Sequence, residues 1–255
     1  MNLVFKRYAD IYDYMYLEKD YQSEFEYVAS LIGGFENKCV LDIGCGTGRY
    51  SELFAVNATS VDGIDISQEM VEIAEQRKSN LAHELKKKLH YEVNDARNFK
   101  SDKTYDIVCS MFHVINYQST SEALRQFFAT AHDALNHRGI FVFDFWYGPG
   151  VLADKPTPRQ KEIRTNFGKI VRTATPELRL NDNICDVTYD IQLENDSRPG
   201  VIELFSETHS MRFLFIPEIR DLVADKFSII NILAWQKHRA PDERDWSAVC
   251  VLMKN

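Results

Sequence analysis

Three glycines at alternate positions, Gly44, Gly46 and Gly48, stand between the apolar run KCVLDI (38–43) and a helix-like stretch over 48–56. A strand-to-helix turn with so little side chain lets main chain approach a ligand where a Cβ would collide. Asp42 precedes this loop, and Asp65 ends the next apolar run, SVDGIDI (60–66), 21 residues after Gly44. An ionised carboxylate at that place has the acceptors for both hydroxyls of a ribose diol. Loop and acid together point to a nucleotide cofactor. The dinucleotide fingerprint GxGxxG would need glycine where this chain has Arg49, so a pyrophosphate cradle fits poorly.

A second set of residues could act on an acceptor. His113 and Tyr117 follow YDIVCSMF (105–112), at the carboxyl end of an expected strand, where open sheets bind ligands. A histidine there titrates in the range needed for proton transfer. Trp146 and Tyr147, closing GIFVFDFW (139–146), could wall an apolar ring. His209 and Arg212 lie three apart in a strand-like run, so they should point to opposite faces and at most one should face a site. Arg159, Lys161 and Arg164 read as a solvated basic face or as contacts to a diphosphate.

These residues need a frame, and the hydrophobic periodicity supplies one. An amphipathic helix over 19–32 precedes an alternation of strands (38–43, 60–66, 89–93, 105–112, 139–146) with helices over 48–56, from Ser67 to about Lys88, and from Ser121 to Leu135 closed by Gly139. That alternation predicts a parallel sheet with helices on both faces. From 163 to 215 the pattern turns to period two. KIVRTAT, ICDVTYDIQLE and VIELFSETHSMRFLF, separated by turn-like PELRLND and NDSRPG, predict an antiparallel excursion. A helix over 217–224 and strands over 227–235 and 246–253 complete the chain. The expected architecture is α/β: a seven-stranded, doubly wound, mostly parallel sheet with an antiparallel β insertion after strand five. It reads as a single domain over 1–255, with an N-terminal lid (1–32) and an inserted cap at about 155–215.

The run Asp42-Ile43-Gly44-Cys45-Gly46-Thr47-Gly48, with Asp65 and Asn94-Asp95-Ala96, resembles the class I S-adenosylmethionine-dependent methyltransferases over about 38–146. The resemblance implies that Asp42, Gly44, Gly46 and Gly48 pass the methionine part of S-adenosylmethionine, and that Asp65 holds its ribose. By the same likeness Asp95 and Ala96 lie near the adenine amine, Ile66 and Met70 flank the adenine, and Ser110 stands beside the cofactor. A narrower resemblance, to the N,N-dimethyltransferases of nucleotide-linked amino sugars, rests on YADIYDYMYLEKDY (8–21), SMFHVINY (110–117), FDFWYGPGVL (143–152) and ELFSETHSMRFLF (203–215). It implies a tyrosine-rich lid that brings Tyr16 to the cofactor, Tyr12 and Tyr21 being further candidates. It also implies a sugar or nucleotide-sugar acceptor near His113, Tyr117, Trp146, Tyr147, His209 and Arg212. His113, Tyr117 and Tyr16 are thus the catalytic candidates. The chain departs from that family after SMF, where His113, Val114, Ile115 and Asn116 stand in place of small residues.

Composition narrows the alternatives. A net charge of -8 over 255 residues opposes binding to a phosphate backbone, and the cluster Lys86-Lys87-Lys88 suits a helix C-terminus, so nucleic acid is not an expected partner. No apolar stretch is long enough to span a bilayer. The start MNLVFKRYADIYDYM also lacks the layout of a secretory signal, so a cytoplasmic setting is expected, and the five scattered cysteines (Cys39, Cys45, Cys109, Cys185, Cys250) form no CxxC pair, which suggests buried thiols and no metal site. The inserted strands offer a homodimer contact. A nicotinamide-dependent oxidoreductase and a non-catalytic cofactor-binding or dimerisation module stand as the competing functions.

Overall fold

Side-chain chemistry sets where each element of the frame begins and ends. The computed structural model describes residues 5, 7–198 and 200–255, so residues 1–4 and 6 of the N-terminal segment and residue 199 of the insertion lie outside the described residues. Helix α1 (Ala9–Met15) is followed by α2 (Tyr21–Ile32), whose first turn is capped by the Asp20 carboxylate accepting from the Ser23 N–H at 2.9 Å. Strand β1 (Cys39–Ile43), helix α3 (Arg49–Asn57) and strand β2 (Ser60–Asp65) flank the glycine loop. The Ser67 hydroxyl caps α4 (Gln68–Ser79) by accepting from the Met70 N–H.

The single helix expected from Ser67 to Lys88 is instead two. After α4 the chain leaves the helix at Asn80 and restarts as α5 (His83–Lys88), whose exposed residues offer no apolar stripe to carry one continuous helix. Strands β3 (Leu89–Val93) and β4 (Tyr105–Ser110), helix α6 (Ser121–Ala134) and strand β5 (Leu135–Trp146) follow. Gly139 does not close α6. It lies inside β5 beside the left-handed Arg138, where the register against β4 slips between Tyr105↔Leu135 and Ile107↔Ile140. A short helix α7 (Gly148–Ala153), unexpected in so glycine-rich a stretch, leads into the insertion.

The insertion holds four strands where three were expected: β6 (Arg159–Arg164), β7 (Gly168–Arg179), β8 (Ile184–Asn195) and β9 (Ile202–Arg212), antiparallel in that order. The basic cluster at 159–164 is thus an edge strand. Most of the expected turn PELRLND is the end of β7. Pro176 is accommodated there because the ladder with β6 ends at Arg159↔Ala174, so no partner on that side needs its missing N–H. Helix α8 (Ile216–Val223) and strands β10 (Phe227–Ala234) and β11 (Ser247–Lys254) return to the large sheet.

The large sheet has the order β10-β11-β5-β4-β1-β2-β3; β1 to β5 pair in parallel and β11 runs antiparallel to both β5 and β10. One apolar cluster fills each face. Phe141, Phe143 and Phe145 of β5 meet Phe127 and Phe128 of α6 on one side, while Val40, Val142 and Val249 meet Phe54 and Phe25 on the other. A third cluster joins Tyr8, Ile11 and Met15 of the N-terminal segment to Ile170 and Ile191 of the small sheet. No helix among the described residues is long and apolar enough to cross a membrane.

Candidate active site

A cavity of about 720 Å³ opens at the carboxyl ends of β1, β2, β4 and β5 and runs beneath the N-terminal segment to the small sheet. Its floor begins at the glycine loop. Gly44 has φ +76°, and a Cβ there would stand 2.4 Å from Val114 Cγ1, so both the backbone and the space exclude a side chain. Gly46 has φ +54° and nothing within 4 Å of where its Cβ would point. Its N–H donates to Asp65 Oδ2 at 2.9 Å, and the Ser67 N–H donates to Oδ1 at 2.9 Å. Burial raises the Asp65 carboxyl above its usual range, against the pull of these N–H groups.

Gly44, Gly46, Asp65, Ile66, Met70, Asp95, Ala96, Tyr16, His113, Tyr117, Trp146 and His209 all line this cavity. Asp95 meets Arg97 through its backbone N–H and its guanidinium; the guanidinium bond, outweighing burial, holds the carboxyl below its ordinary range. Asp42, Gly48 and Ser110 lie behind the wall instead. The Ser51 hydroxyl donates to Asp42 at 2.6 Å, and burial pushes that carboxyl up to about 7. A Cβ on Gly48 would meet the Tyr91 hydroxyl at 2.6 Å, and Ser110 spends its hydroxyl on the Ile43 carbonyl at 3.0 Å.

Two further expectations need correction. Tyr147 does not share the wall with Trp146, because neighbouring residues at a strand end point to opposite faces. Tyr147 turns toward the acidic loop 242–245, and burial and those charges raise its phenol. Arg212 is buried in an ion pair with Glu218 and does not line the cavity, so of the two strand residues only His209 reaches it. Nor do Arg159, Lys161 and Arg164 line it; Lys161 donates to the Met15 carbonyl at 2.8 Å and Arg164 pairs with Asp196.

His113 follows a constrained piece of backbone, Phe112 and His113 both having φ +66°. Left-handed conformation costs a non-glycine residue about 1–2 kcal/mol, and here the Asp144 carboxylate holds it in place. The His113 N–H donates to Asp144 Oδ1 at 3.0 Å, while His113 Nδ1 stands 2.7 Å from Oδ2. Burial works to raise the Asp144 carboxyl, but the His113 charge, its two bonds and Lys19 together hold it below the ordinary range. Asp144 was not foreseen, although it is the one charged residue in GIFVFDFW. Across the cavity the Tyr117 hydroxyl lies 2.9 Å from His209 Nδ1.

The N-terminal segment is tied at both ends of the cavity. The Thr47 hydroxyl of the glycine loop donates to Asp13 Oδ1 at 2.9 Å, and Arg77 pairs with the same carboxylate. Toward the small sheet, Arg172 donates to the Tyr8 hydroxyl at 2.7 Å and approaches that of Tyr16 at 3.5 Å. Asp13, like Glu207 described below, carries no local signal, because its partners lie far along the chain.

Residues 40–139 match the model of a methyltransferase domain family. The chain is 31% identical over 151 residues to a dTDP-3-amino-3,4,6-trideoxy-alpha-D-glucopyranose N,N-dimethyltransferase of Streptomyces venezuelae, a match spanning 58% of this chain and 60% of that relative. An S-adenosylmethionine-dependent methyltransferase from Clostridium acetobutylicum superposes with TM-score 0.79 at 17% identity, covering 97% of each chain. The sugar N-methyltransferase KedS8 from Streptoalloteichus does so with TM-score 0.79 at 18% identity, covering 98% of this chain and 94% of its own. The chain as a whole thus adopts the class I methyltransferase fold, and its residues 40–139 are similar to a methyltransferase domain family.

Proposed function

We propose that this chain is an S-adenosylmethionine-dependent methyltransferase whose acceptor is an amine or hydroxyl of a sugar or nucleotide-sugar. One observation carries the reading: a single cavity joins an open glycine loop and a ribose-type acid to two histidines and a tyrosine. The residues fit the cofactor. Gly46 leaves open the space that a side chain would fill, and the Asp65 carboxylate keeps acceptor capacity beyond its backbone N–H donors. Gly44 and Gly46 would pass the methionine part, Asp65 the ribose, and Asp95, Ala96, Ile66 and Met70 the adenine. Tyr16 would close over the cofactor. The dTDP-linked amino sugar named as substrate of the Streptomyces venezuelae relative supports a nitrogen acceptor here.

When bound, S-adenosylmethionine supplies a methyl carbon on a cationic sulfur, open to in-line displacement by a lone pair. The protein's part is then alignment, exclusion of water and removal of a proton from the acceptor. His113 presents Nε2 to that proton because Asp144 engages Nδ1, and the carboxylate steadies the imidazolium that results. Tyr117 and His209 orient the acceptor opposite, with Trp146 as an apolar wall. A second copy of the chain would pair along β9, one of the two edges of the small sheet, giving a homodimer. The five free thiols suit the cytoplasm.

Calorimetry with S-adenosylmethionine, followed by mass spectrometry of a panel of amino and hydroxy nucleotide-sugars incubated with enzyme and cofactor, tests the assignment. A mass gain of one or two methyl groups on a panel member is expected. Folded protein that binds no S-adenosylmethionine would refute the reading, and binding without turnover on the panel would favour a sensing module.

A further inference from the structure

Glu207, His209 and Tyr117 stand in line from the small sheet to the cavity. His209 Nε2 is 3.5 Å from Glu207 Oε2, and His209 Nδ1 is 2.9 Å from the Tyr117 hydroxyl. Glu207 and His209 are two apart in β9 and so share a face. The other contacts of Glu207 come from the N-terminal segment: the Phe5 N–H donates to Oε2 at 2.8 Å and the Tyr8 N–H to Oε1 at 3.1 Å. We propose that Glu207 is a positioning residue that fixes the polarity of this chain, so that Tyr117 offers the acceptor nitrogen its oxygen lone pairs and not its proton.

The argument rests on donor and acceptor capacity. Burial works to raise the Glu207 carboxyl, but the His209 ring 3.5 Å away and the donated N–H groups of Tyr8 and Phe5 bring it below the ordinary range, so it is ionised and can only accept. A carboxylate facing Nε2 favours the imidazole form with its proton on Nε2, which leaves a lone pair on Nδ1. The Tyr117 phenol keeps its proton, since burial raises it well above its usual value, and must donate that proton to Nδ1. What remains toward the cavity is the Tyr117 oxygen as an acceptor, suited to an N–H of an amine. With the opposite polarity, the phenol proton would bind the nitrogen lone pair that has to attack the methyl carbon. The same carboxylate accepts from Phe5 and Tyr8, so the polarity is set when the N-terminal segment is seated.

This inference rests on the amine-methylating reading above, and its test separates the two. Nitrogen-15 spectra of the histidine rings, with His209→Gln to assign the signal, should show wild-type His209 protonated at Nε2 and Glu207→Gln shifted toward a mixture of the two forms. With an amino-sugar acceptor, Glu207→Gln should lower kcat by roughly tenfold while leaving the KM for S-adenosylmethionine unchanged. In a Tyr117→Phe background the same substitution should cost nothing further. Wild-type His209 protonated at Nδ1, or a Glu207→Gln variant with unaltered ring signals and kcat, would overturn the proposal. The wild-type spectrum decides even if Glu207→Gln does not fold. A wild-type enzyme without turnover on any amine would sink the functional reading, while the ring signals still decide the role of Glu207.

Discussion

Replacing Asp65 by alanine removes the two oxygens that hold the Gly46 and Ser67 N–H groups at 2.9 Å and that face the proposed ribose. Hydrogen bonds to a charged group contribute about 1.5–3 kcal/mol each, so two hydroxyls losing their acceptor should weaken S-adenosylmethionine by about 3–6 kcal/mol. At about 1.4 kcal/mol per factor of ten, that is roughly a 10²- to 10⁴-fold rise in Kd. Asp65→Asn retains one acceptor oxygen and presents an NH₂ in place of the other, so it should fall between wild type and Asp65→Ala. The assay is calorimetric titration of each variant with S-adenosylmethionine, beside circular dichroism to establish that the fold persists. A folded Asp65→Ala variant whose Kd stays within about threefold of wild type would show that the carboxylate holds the loop and not the cofactor.

His113→Gln should reduce kcat by about 10²- to 10⁴-fold with cofactor Kd unchanged if the imidazole takes the acceptor proton, and steady-state rates on the amino-sugar acceptor read this directly. Asp42 ties stability to pH. The folded chain keeps that carboxyl protonated up to about 7, whereas an unfolded aspartate ionises near about 3.9. Its stabilising contribution is therefore complete below about pH 4 and lost as pH rises through 7, a change of up to about 4 kcal/mol. Asp42→Asn should flatten this decline, as urea unfolding at pH 4, 6 and 8 would show; equal slopes in both proteins would contradict it.

The proposed cofactor half of the cavity was the more legible in the sequence because its determinants are local. A glycine loop and an acid on the adjacent strand are fixed by chain geometry, so Gly44, Gly46 and Asp65 line one cavity as their spacing suggested. Asp42, Gly48 and Ser110 share the motif but face inward, a distinction of burial that spacing does not carry. On the acceptor side His113, Tyr117, Trp146 and His209 were recognisable by type and position, whereas Asp144 and Glu207 emerge only when distant segments meet. The alternation rule warned that at most one of His209 and Arg212 would face a site, yet both were kept as acceptor candidates; applied at the end of β5 it would also have parted Tyr147 from Trp146. Elements failed where chemistry was ambiguous. Gly139 served a bulge and not a helix end, Pro176 sat in an overhanging strand, and the charged run 159–164 formed an edge.

The consecutive left-handed residues Phe112 and His113 make this chain a hard target for thermostabilisation by backbone relaxation. Glycine at either position would relieve a steric cost while giving the unfolded chain more freedom to lose. It would also delete the ring that Tyr16 meets edge-on at 5.0 Å and Lys19 caps at 4.3 Å, or the imidazole beside Asp144. Backbone ease and side-chain contact therefore compete for the same two residues.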